Sequence, residues 1–104
     1  MKKNYYTQEE IILCTYIARF GHALLTEKKI SSLGKRSETS IIMKVQNIAS
    51  MLKEKGFKAD PSISPLTGKT TGDSGRETDW PIVSSLVELE KAELWAKCKE
   101  IFSK

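Results

Sequence analysis

The chain has one histidine, two cysteines and three prolines among its 104 residues. Each scarcity excludes something. Zinc needs four ligands at defined spacing, and Cys14, Cys98 and His22 cannot supply them, so no metal site is expected. Both cysteines fall on apolar faces of predicted helices. They read as small reduced hydrophobes rather than as a disulfide framework. No apolar run approaches the ~18 residues of a membrane span. The start Met1-Lys2-Lys3-Asn4-Tyr5-Tyr6 is basic, but Glu9 and Glu10 follow with no apolar stretch between. A signal peptide is therefore not expected, and the predicted location is cytoplasmic. No alternation of period two persists, so no strands are expected. Ser-His-Asp and Cys-His groupings are absent, as are paired carboxylates in a catalytic setting. The expectation is a non-enzyme without cofactors. Glu9-Glu10 is explained by the positive end of a helix, and His22 by a helix end or the surface. Gly68-Lys69-Thr70 fails as a phosphate loop: Ile63 stands where that motif needs its first glycine, and no strand precedes it.

Apolar residues make up 39% and charged ones 29%, the balance of an ordinary soluble domain. The net charge of +4 is unevenly spread. From Lys28 to Lys58 there are eight basic residues against two acids, and from Asp73 to Glu100 seven acids against four bases. One face suited to a polyanion explains this asymmetry. A solvated lysine-rich face explains it equally well, and charge alone does not separate the two.

An all-α fold is expected: a three-helix helix-turn-helix unit in residues 1–58, a Gly/Pro/Ser-rich loop over 59–79, and a C-terminal helix in 80–104. Thr7 and Glu10 have capping-box spacing. Leu13, Ile17 and Phe20 then recur with helical period, and Gly21 offers an end. Thr26 caps a short helix, Glu27 to Leu33, with Ile30 and Leu33 directed inward. Gly34-Lys35-Arg36 forms the turn. Ser37 caps a long helix to about Lys55, which Gly56 stops. On its wheel Ile41, Val45, Ile48 and Leu52 make the core line, flanked by Ile42 and Ala49.

The opposite face of that helix holds Thr39, Ser40, Met43, Gln46, Asn47 and Ser50. It is polar yet almost uncharged, whereas a solvated face is usually Lys/Glu-rich. Asn and Gln can pair with adenine edges, and Ser or Thr with several bases. Lys35, Arg36 and Lys44 flank the face, where phosphates would lie. Nucleic-acid contact is the reading preferred over protein contact or none.

Beyond the loop, Asp79 is expected to cap a first turn at Trp80-Pro81. Ser85 and Glu88 are placed to box the start of a helix from Leu86 to Phe102. Its stripe Val83, Val87, Leu94, Cys98 and Ile101 is too wide to leave in water. It should close over the unit or pair with a second copy, a homodimer through Trp80–Phe102. Trp80 and Trp95 read as packing anchors.

Three runs carry a resemblance: Tyr6-Thr7-x-Glu9-Glu10; Ile30-Ser31-Ser32-Leu33-Gly34-Lys35-Arg36-Ser37; and Ser40-Ile41-x-x-Lys44-x-x-Asn47. Together they resemble the Myb/SANT-like helix-turn-helix. They are closer still to the N-terminal DNA-binding domain of some bacterial and phage HNH-type restriction endonucleases. Gly72 to Trp80 loosely matches the glycine-rich stretch and Asp-x-x-x-Trp element of those proteins. Tyr6 and Val45 stand where Myb repeats carry tryptophans, and a single histidine cannot supply an HNH nuclease site. The resemblance implies the DNA-binding part without the cutting part, with Lys35, Arg36, Ser40, Lys44 and Asn47 as DNA contacts. The expected function is a small DNA-binding protein of bacterial or phage origin, a regulator or a stand-alone specificity module with duplex DNA as partner. The alternative is a protein-binding module, for example a phage-borne inhibitor or adaptor of a host enzyme.

Overall fold

The first helix, α1 (Gln8–Phe20), begins as its sequence dictates. Thr7 Oγ1 accepts the Glu10 amide at 3.2 Å, and Glu10 Oε1 accepts the Thr7 amide at 2.8 Å, so two orphan donors of the first turn are satisfied reciprocally. Gly21, at φ +83°, ends it. A computed structural model describes residues 7–33, 36–63 and 73–103 of the chain. Gly34, Lys35 and the Gly68-Lys69-Thr70 run lie outside these residues.

Four further helices follow, and no strand occurs among the described residues: α2 (Glu27–Ser31), α3 (Glu38–Glu54), α4 (Asp73–Leu86) and α5 (Lys91–Phe102). The fold is all-α. Thr26 Oγ1 accepts the Lys29 amide and Ser37 Oγ accepts the Ser40 amide, each at 3.2 Å, which starts α2 and α3 where side-chain caps are available.

Helix α1 packs against all four others, and α3 also packs against α2 and α4. That central place explains why burial on α1 is not confined to one stripe. Ile11, Leu13, Cys14, Tyr16, Ile17 and Ala18 are all buried. Ile41, Val45, Ile48, Ala49 and Leu52 of α3 meet them from one side, and Val83, Leu86, Leu94 and Cys98 complete the same core. The stripe between Trp80 and Phe102 thus closes over α1 within one chain. Tyr16 lies between Phe20 and Trp95, with ring centroids 5.3 and 5.2 Å away.

Several expectations need correction. The loop expected over 59–79 does not reach Asp79, because α4 begins at Asp73, and residues 64–72 of it lie outside the described residues; Asp79 lies within that helix and does not cap it. Pro81 sits well inside α4 instead of in a first turn. The C-terminal helix is two helices, broken at 87–90. The break is held by Arg19, whose Nη1 donates to Leu86 O at 2.8 Å and Leu89 O at 2.7 Å, satisfying carbonyls that the end of α4 leaves open. Glu93, not Glu88, supplies the boxing carboxylate, accepting the Glu90 amide at 2.9 Å. Leu33 and Ile42 were expected inward or at the core margin and are exposed, 41% and 36%. Ser50, assigned to the polar face, is buried. Its place beside Ala49 and Met51 shows that the core side of α3 widens toward its C-terminal end, where the 57–63 segment docks. That segment is anchored by the Asp60 amide donating to Ala18 O at 2.8 Å, and Ile63 is buried there.

Candidate nucleic-acid interface

The solvent side of α3 is built by spacing. Thr39, Ile42, Met43 and Gln46 stand at i, i+3, i+4 and i+7 and so share one face over two turns. Thr39, Ile42 and Met43 are exposed, Met43 at 55%, and Gln46 is half-buried. Ser40 and Asn47 are half-buried at the margins of this face, and each makes contacts within the chain.

The two described cations assigned to phosphates point elsewhere. Arg36 Nε lies 3.0 Å from Glu10 Oε2, with both side chains under a tenth exposed. The same carboxylate caps α1 through its other oxygen, so one residue ties the entry of α3 to the start of α1. Ser31 Oγ donates to Arg36 O at 2.9 Å and fastens the end of α2 to this point. Lys44 Nζ lies 2.6 Å from Asp79 Oδ2 of α4, and these side chains too are mostly buried. Arg36 and Lys44 therefore hold helices together, and their expected place flanking the face is not where the structure puts them.

Glu10 and Asp79 were missed as functional neighbours, yet the sequence held a signal for both. Glu10 extends the Leu13–Ile17 row one turn back, and Asp79 does the same for Val83 and Leu86. Lys44 is three residues after Ile41 and four before Ile48, on the edge of the core row. A charge in register with an apolar stripe is carried inward and must find a partner.

Exposed cations remain on α2, on α3 and after it. Lys28 and Lys29 are exposed on α2, Lys53 on α3, and Lys55 and Lys58 just beyond its end. Lys29 rests 5.5 Å over the Phe102 ring and Lys55 5.3 Å over Trp80, contacts that orient the stems and leave the residues exposed. The exposed acids over the same span are Glu38 and Glu54. His22 is exposed and lies 2.9 Å from Glu27.

Burial pushes both thiols above the ordinary 9.0, Cys98 to about 12 and Cys14 further. Buried thiols of this kind are inert at neutral pH. Among the described residues no group of three or more His, Cys, Asp or Glu side chains is placed to hold a metal ion. Among them also, no helix is long and apolar enough to cross a membrane. No family model, curated protein or solved structure matches the chain.

Proposed function

We propose that this chain binds duplex DNA, with α2 and α3 acting as a helix-turn-helix and α3 entering the major groove. One observation carries this most: the apolar row of α3 is spent in the core while Thr39, Ile42 and Met43 of its uncharged face are exposed, on a segment of chain that also carries exposed lysines. Lys28, Lys29, Lys53, Lys55 and Lys58 are the phosphate contacts in this scheme, and Thr39, Met43 and Gln46 meet base edges. Arg36 acts indirectly, by fixing where α3 starts. A protein of this kind works in the cytoplasm as a regulator or a stand-alone specificity module of bacterial or phage origin.

A second reading is favoured by Ile42 and Met43, whose exposed apolar side chains also suit a protein partner such as a host enzyme. Salt separates the two. Titration against random duplex DNA should give salt-sensitive binding, with a log–log slope of about −0.9 per phosphate contacted, so roughly −4.5 for five lysines. Absence of binding at low salt would transfer the face to a protein partner.

A further inference from the structure

We infer that the Thr39–Gln46 face selects A·T base pairs by packing Ile42 and Met43 against thymine methyl groups, an inference that rests on the DNA-binding function proposed above. Base-edge chemistry narrows the choice. Guanine is read chiefly by Arg or Lys, cytosine by Glu or Asp, adenine by Asn or Gln, and the thymine methyl by apolar contact. The four side chains of this face are a hydroxyl, two apolar groups and an amide. Of the cations that sequence places beside them, the two among the described residues are withheld: Arg36 is held by Glu10 at 3.0 Å and Lys44 by Asp79 at 2.6 Å, all four side chains mostly buried. Glu38 is exposed at the first position of α3, outside the run, where it meets the negative potential of the phosphates rather than a base.

Exposure points the same way. Met43 at 55% and Ile42 at 36% are two large apolar side chains one residue apart on the solvent side of a helix whose core row is already complete. Their cost in water is recovered when a methyl group covers them. Gln46, one turn further on, is placed to pair with the adenine of the same or a neighbouring base pair. The run from Thr39 to Gln46 spans about 10 Å of helix axis, the rise of about three base pairs.

The test is a polarisation titration at fixed low salt with the full chain and three duplexes of equal length. One is rich in mixed-order A·T pairs, one is the same with every thymine replaced by uracil, and one contains only G·C pairs. The A·T duplex should bind about tenfold tighter than the G·C duplex. Uracil replacement, which removes only the methyl groups, should weaken binding about three- to fourfold for each methyl contacted. The Ile42→Ala/Met43→Ala double variant, altered only at exposed positions and checked for helix content by circular dichroism, should bind the thymine and uracil duplexes alike. Equal affinity of the native chain for thymine and uracil duplexes, or for A·T and G·C duplexes, overturns the inference and leaves DNA binding standing. A thymine preference that survives in the double variant overturns the assignment to Ile42 and Met43. Failure to bind any of the three duplexes removes the DNA-binding function itself, and the inference with it.

Discussion

Arg36→Ala should unfold this protein far more readily than its place in a basic turn suggests. The guanidinium lies 3.0 Å from Glu10 Oε2, and the two side chains are 8% and 7% exposed. Opposite charges at this range attract by about 5–6 kcal/mol at the effective dielectric near a protein surface. Removing one partner also leaves the other charged and desolvated, for which about 3–5 kcal/mol is typical. Glu10 keeps the Thr7 amide at 2.8 Å, which puts the expectation at the lower end, about 3 kcal/mol. That is a large share of the roughly 5–15 kcal/mol that holds a small domain together. With a urea slope of about 1–3 kcal/mol per molar, the unfolding midpoint should fall by about 1–3 M. The double variant Glu10→Gln/Arg36→Met retains an acceptor for the cap and removes both charges. It should cost less than the sum of its single changes by about 2 kcal/mol. A midpoint for Arg36→Ala equivalent to a loss under about 0.5 kcal/mol, the scale of an ordinary surface change, would refute the buried pair. So would strict additivity in the cycle. The outcome bears on the proposed function, since any effect of Arg36→Ala on DNA binding would then report a displaced α3 and not a lost phosphate contact.

Alkaline pH should weaken the fold through Cys98. Its folded value of about 12 lies above the ordinary 9.0, so its contribution to stability is full below about pH 9 and drains away as pH rises toward 12. Native protein should accordingly resist a thiol reagent at pH 8 and react in urea; rapid labelling of both thiols without denaturant would contradict this burial. Gly21→Ala should lower the melting temperature more than Gly56→Ala. Both glycines have positive φ, costing about 1–2 kcal/mol for a side chain, but only at Gly21 would the new Cβ meet a neighbour, Asp60 Oδ2 at 2.9 Å. The reverse order would show the 57–63 segment is not docked there. Leu94→Ala empties a fully buried site and should cost about 2–5 kcal/mol in one cooperative transition. A biphasic urea curve would mean that α5 unfolds on its own.

What was legible in the sequence was local. Thr7 with Glu10, Thr26 and Ser37 announce helix starts because a cap needs only residues within one turn. The row Ile41, Val45, Ile48, Leu52 announces its own buried side by period alone. What escaped depends on distant partners. Helix α4 is masked by Gly75 and by the Ser/Thr-rich composition of 70–78, so weak propensity suggested a loop where a helix lies. The break at 87–90 is set by Arg19, 70 residues from Leu89, and no local pattern marks it. The phosphate-binding roles of Arg36 and Lys44 were inferred from charge and motif, whereas their burial follows from acids on α1 and α4. Of the uncharged face on α3, Thr39 and Met43 were legible as solvent-facing from the helical period, whereas Ser50 is buried and Ile42, expected at the core margin, is exposed.

The central position of α1 has a consequence for how the chain is made. This helix is made before the other four described, with apolar groups on several sides, and α2 and α3 can cover only part of them. Leu94 and Cys98, which close the remaining flank, come about 80 residues later, and a loop of that length carries its closure entropy with it. A growing chain that has produced α3 already displays the exposed Thr39, Ile42 and Met43 side but not a finished core. Vectorial synthesis thus leaves α1 adhesive until α5 arrives, a natural client for a holding chaperone. Separating the first three helices from the last two would make that transient condition permanent.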